Sequence, residues 1–141
     1  MSDDTFIPFA IVQSRSFGLD IAQEAANRYP EGTGIGDKAD ALRHIVWSAE
    51  MTRKYGEDFA KNMGNWHESN LPRWMGGAGL PIGGSAGRQS PEEKQMDLMN
   101  NALGIQIGKS SESLDEIYKK ATEAIESNQA SILPKPRKGY Y

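Results

Sequence analysis

A chain of 141 residues has the length of one compact domain, and 38% hydrophobic with 25% charged residues excludes wholesale disorder. Its 16 Lys and Arg against 19 Asp and Glu leave a formal charge of −3, so nothing drives general binding to phosphate backbones and no nucleic-acid partner is expected. The absence of cysteine excludes disulfides, thiolate metal ligands and Cys nucleophiles together.

The apolar run Phe9 to Val12 follows Ser2, Asp3 and Asp4 rather than a cationic segment, and no run approaches the ~18 apolar residues of a membrane span. A soluble protein without a signal peptide is expected, cytoplasmic when made. Any target outside the producing cell is then reached through a virion, a lysis event or a secretion machinery.

From Pro8 to Tyr29 the near-helical spacing of Phe9, Val12, Ser16, Leu19, Ala22, Ala25 and Ala26 predicts one broken or two short helices, with Gly18 as the break. Residues 30–36 hold the breakers of a turn, and Asp37 can cap a helix from Lys38 to about Tyr55, stopping near Gly56. That helix carries an aliphatic stripe, Leu42, Ile45 or Val46 and Ala49, and a mixed row, Asp40, His44, Trp47 and Met51. Glu57 to about Ser69 reads as a further helix with acids in its first turn.

Residues 70–89 contain six glycines and two prolines, which predicts a long Gly-rich loop. Ser90, Pro91 and Glu93 form a capping box ahead of Met96, Met99, Leu103 and Ile107. Ser113 and Glu116 repeat the pattern before Leu114, Ile117, Tyr118, Ala121, Ala124 and Ile125, a stripe reaching Asn128. No segment argues for a sheet, so the expected fold is all-α: a single domain of about five helices over residues 1–132, with an extended basic and aromatic tail at 133–141.

The two histidines, His44 and His67, each stand beside acids or indoles. Asp40 and His44 are one turn apart, so the carboxylate can accept an imidazole N–H and orient a general base or a metal ligand; a solvated helix-stabilising pair is the plain alternative. Arg43 adjoins them on a different bearing. Glu68 follows His67 and is a candidate ligand, a general base or an exposed acid. Asp97 and Asn101 share a helix face with Asn100 nearby, and Gly104 allows a helix or ligand to approach. Paired asparagines are poor helix formers, so a helix that keeps them has found them buried partners.

The run Asp40-Ala-Leu-Arg43-His44-Ile-Val-Trp47, then His67-Glu68, then Met96-Asp97-Leu-Met-Asn100-Asn101-Ala-Leu-Gly104 resembles an uncharacterised family of small helical domains. That family is associated with bacterial polymorphic toxins, wall-associated proteins and some phage proteins. The resemblance covers about residues 20–108 and implies a helical architecture and these polar positions. It suggests a cell-envelope polymer or lipid as substrate and a toxin-like or virion setting, with no settled activity.

Two function classes follow. In a hydrolase-like site, His44, His67, Asp97 and Asp40 hold one divalent metal, zinc or similar, that activates water. Without metal, a histidine paired with a carboxylate acts as base and Asn100 or Asn101 stabilises an oxyanion, so His44, His67, Glu68, Asp97 and Asn101 are the catalytic candidates. Asp40, Arg43 and Asn100 then support them from behind. In a structural or interaction module, such as a phage-particle component, the same residues form a buried network, while the Gly-rich loop and the tail dock onto a larger assembly.

Overall fold

The computed structural model of the chain describes residues 6–31, 34–67, 90–134 and 137–138. In chain order these form α1 (Phe6–Arg28), β1 (Gly34–Ile35), α2 (Lys38–Tyr55), α3 (Glu57–His67), α4 (Pro91–Lys109), α5 (Leu114–Glu126) and β2 (Arg137–Lys138). Among the described residues the fold is therefore all-α apart from one two-residue strand pair. None of these helices is long and apolar enough to cross a membrane.

Capping chemistry sets the helix starts. Asp37 accepts the Asp40 amide at the start of α2, and Ser90 with Glu93 closes a complete capping box on α4. At α5 the box is half-formed: Ser113 accepts the Glu116 amide, but the Glu116 carboxylate takes the Glu112 amide instead. Gly56 ends α2 in a left-handed conformation with φ of 98°.

Helix α2 is the axis of the core and packs against all four other helices. Leu42, Ile45, Val46, Ala49 and Met51 are fully buried, and they meet Ile21 and Ala25 of α1, Met63 of α3, Met96 of α4, and Ile117 and Ile125 of α5. Each of the fully buried Leu, Ile, Val and Met side chains contributes roughly 1.5–3 kcal/mol. Of the mixed row Asp40, Trp47 and Met51 are buried, with Trp47 donating Nε1–H to the Ser14 carbonyl at 3.3 Å.

Helix α1 is continuous through Gly18, where a break was expected. Gly18 lies against the Trp47 indole, and a Cβ there would stand 3.4 Å from Trp47 Nε1, so packing on α2 carries the helix through its weakest residue. Helix α3 is described to His67, and the predicted Gly-rich loop at 70–89 lies outside the described residues.

The most extensive helix pair is α2 with α4, and two glycines permit it. A Cβ on Gly104 would sit 2.4 Å from the Ile45 carbonyl oxygen, and one on Gly108 would sit 2.4 Å from that of Ala49. Ser48 and Thr52 fill the facing positions on α2. Gly104 thus serves the approach of a helix, one of the two roles open to it from sequence.

Among the described residues the fold is all-α as expected, and the one addition is the short pair β1 and β2, antiparallel with Gly34 opposite Lys138 and Ile35 opposite Arg137. Before β2, the Leu133 amide donates to the Gly36 carbonyl at 2.9 Å. Two-residue strands about a hundred positions apart leave no periodicity to read. The part of the tail that is described runs extended along the turn before α2.

Candidate functional site

The first turns of α2 and the middle of α4 bring together side chains 57 residues apart in sequence. Asp40, His44 and Ser48 lie along one face of α2 at i, i+4 and i+8, and Asp97 and Asn101 lie one turn apart on α4. Their polar groups meet across the close α2–α4 contact. Asp40 and Asp97 are each 2% exposed, and the His44 side chain keeps 11% of its surface open.

His44 is engaged on both ring nitrogens. Nδ1 lies 3.2 Å from Asn101 Oδ1, while Nε2 lies 3.2 Å from Asp97 Oδ1 and 3.5 Å from Asp40 Oδ1. The Asn101 oxygen also accepts the Ser48 hydroxyl at 3.1 Å, which fixes its amide and hence the ring plane. With Nδ1–H donated to Asn101, Nε2 faces two carboxylate oxygens, and a bare lone pair there is repelled. A cation between them, a proton or a metal ion, resolves that repulsion.

Asp40 carries the densest set of contacts. Its Oδ1 meets the Arg43 guanidinium, and its Oδ2 accepts the Gly36 amide at 2.8 Å. Burial by itself pushes this carboxyl up, but the His44 hydrogen bond and charge, the Arg43 guanidinium and the Gly36 amide together hold it well below the usual carboxylate range. Although Arg43 projects on a different bearing from His44, it turns back along α2 onto Asp40 and neutralises it.

The depressed Asp40 carboxyl gives a pH dependence of definite sign. A carboxyl lowered in the folded state stabilises the fold above its unfolded value of 3.8 and loses that contribution as pH falls below it. The melting temperature is expected to fall on acidification through pH 4. Asp40→Asn is expected to cost about 1–3 kcal/mol at neutral pH, with the gap to the parent closing in acid. Melting curves of both proteins from pH 7 to pH 3 check this; a gap that stays constant would contradict it.

The other expected site residues fall differently. Asn100, one position from Asn101, is turned away onto the Ser131 backbone and does not join the cluster. His67 ends α3 one turn after Gly64, whose own position abuts Asn101: a Cβ there would lie 3.2 Å from Asn101 Nδ2. The His67 side chain and Glu68 lie outside the described residues. Asn101 Nδ2 itself is buried without a hydrogen-bond partner among the described residues.

Three residues escaped the sequence reading. Ser48 was legible as the third member of the Asp40, His44 row. The Gly36 amide and Gly64 leave no side-chain signal, since each acts through backbone or through absence of a Cβ.

Asp40, His44 and Asp97 each offer one ligand atom, and these atoms lie within 4.8 Å of one another, so the cluster is a candidate metal site. Ligand atoms sharing a tetrahedral zinc at ~2.0–2.1 Å stand about 3.3–3.4 Å apart, close to the 3.2 and 3.5 Å found around Nε2. The Asn101–His44 contact supplies the outer partner that metal-bound imidazoles require.

The model of the domain of unknown function DUF6973 matches residues 5–130, and the chain belongs to that family. No curated protein and no solved structure matches the chain.

Proposed function

We propose that this member of the DUF6973 family is a metal-dependent hydrolase-type domain, in which Asp40, His44 and Asp97 hold one zinc-like divalent ion. The observation that carries the reading is the meeting of His44 Nε2 with Asp40 Oδ1 and Asp97 Oδ1 while Asn101 grips Nδ1. Asp40, His44 and Asp97 would hold it as three protein ligands, the number found at catalytic rather than structural zinc. When bound there, the ion would act as a Lewis acid that lowers the pKa of water beside Asp40, His44 and Asp97, the chemistry a hydrolase needs.

His67, one turn beyond Gly64, is the candidate further ligand, and Glu68 is the candidate base for the bound water. The family resemblance directs the substrate search to cell-envelope polymers and lipids, and to a toxin-like or phage-associated setting. A second reading is favoured by the Arg43 and Gly36 contacts, which already satisfy Asp40: a buried polar network in a structural protein of a larger assembly.

Metal content separates the two. Protein purified without an affinity tag is expected to carry about one zinc or similar ion per chain, and a chelator is expected to lower its melting temperature, because an ion bound only by the folded state stabilises it. Metal-free protein that melts identically with chelator, and with added zinc, would leave the network reading. Loaded protein is then screened against envelope polymers and lipid esters, with Asp97→Asn as the inactive control.

A further inference from the structure

Asn100 stands beside the site but serves another partner. Its side chain is buried at 1% exposure; Nδ2 donates to the Ser131 carbonyl at 2.9 Å and Oδ1 accepts the Ser131 amide at 2.8 Å. The amide thus mimics, for one residue, the paired bonds of an antiparallel strand. A buried asparagine in mid-helix is costly unless it is satisfied in this way.

The segment held by that clamp leads back to the site. Two residues on, the Leu133 amide donates to the Gly36 carbonyl at 2.9 Å. The Leu133 side chain fills the space beside Gly36, where a Cβ would lie 2.7 Å from Leu133 Cδ1 and where φ is +94°. Gly36 in turn donates its amide to Asp40 Oδ2 at 2.8 Å. Backbone and side-chain hydrogen bonds therefore close a ring from α4 through Ser131–Leu133 and Gly36 to Asp40 on α2, and through His44 back to Asp97 and Asn101 on α4.

We infer that Asn100 is a positioning residue: by clamping Ser131 it seats Leu133 on Gly36 and fixes the amide that aims the Asp40 carboxylate at His44. Asp40 Oδ1 is shared between His44 and Arg43, so its direction depends on what holds Oδ2. Releasing Gly36 frees the carboxylate to rotate onto Arg43 and away from Nε2. The inference deepens the metal reading and rests on it for its binding readout.

The test uses the full chain, with zinc as the probe and the Gly36 amide proton resonance as a metal-independent reporter. Asn100→Ala is expected to weaken zinc binding about tenfold, the scale of losing an outer-shell partner, and to shift the Gly36 resonance away from its carboxylate-bonded position. Leu133→Ala, on a partly buried side chain, is expected to move both in the same direction and keeps the question open to test if Asn100→Ala does not fold. Ile117→Val, buried on α5, is expected to lower the melting temperature while leaving both readouts unchanged.

Unaltered zinc affinity and Gly36 resonance in the Asn100 and Leu133 variants would overturn the inference, as would equal changes in the Ile117 variant. If the parent chain binds no zinc, the metal reading fails separately, and the Gly36 resonance still decides whether Asn100 positions Asp40.

Discussion

Replacing Gly104 by alanine is expected to destabilise the domain by about 3 kcal/mol, the upper part of the range for overpacking a close contact. The added methyl would meet backbone on one side, the Ile45 carbonyl oxygen at 2.4 Å, and Ser48 Cβ at 2.8 Å on the other. Neither can yield as a flexible side chain would, so α4 must move away from α2. The nearest polar neighbour is Ser48, which locks Asn101, so the displacement also loosens the grip on His44. For a domain of this size the melting temperature should fall by roughly 10 °C, and zinc affinity with it. Gly108→Ala, which meets the Ala49 carbonyl oxygen at 2.4 Å, should match the loss of stability with a smaller effect on the metal, because it lies a turn further from Asn101. Thermal melts of the two variants beside the parent check both statements. Parent-like melting of both would show that the α2–α4 contact is looser than described.

The second large effect concerns charge. His44→Ala removes the group that stands between Asp40 and Asp97 and leaves two buried carboxylates facing each other. Breaking a buried pair from one side costs about 3–5 kcal/mol, and Arg43 on Asp40 brings the expected loss to the lower end. Zinc binding should disappear. Asp97→Asn in the same chain should recover part of the stability by removing one of the two stranded charges, so the double variant should melt above His44→Ala alone. Zinc binding should not return with it. Additive losses in the double variant would show that His44 and Asp97 do not interact.

The helical character and most helix boundaries were readable from residues alone, because they depend on local chemistry. Asp37, the Ser90 to Glu93 box and Gly56 mark helix ends through groups a few residues away, and the stripe on α5 repeats at helical spacing. The partnership of Asp40 with His44 was legible for the same reason. What sequence could not provide was convergence: His44 meets Asn101 and Asp97 because Gly104 and Gly108 bring α4 onto α2, a fact of tertiary packing. Asn100 and Asn101 look alike in sequence, and only the path of the chain beyond α5 sends one to Ser131 and the other to His44. Gly18 reads as a helix breaker until the Trp47 indole is placed against it. The β1–β2 pair joins residues too distant and too few to leave a pattern.

The proposed metal centre of Asp40, His44 and Asp97 is tested most directly by an anomalous difference map from a crystal of the zinc-loaded chain, collected at the zinc absorption edge. One strong peak is expected within ~2.0–2.2 Å of Asp40 Oδ1, His44 Nε2 and Asp97 Oδ1. A map with no peak between those atoms, and with His44 Nε2 still in contact with Asp97 Oδ1, would contradict it.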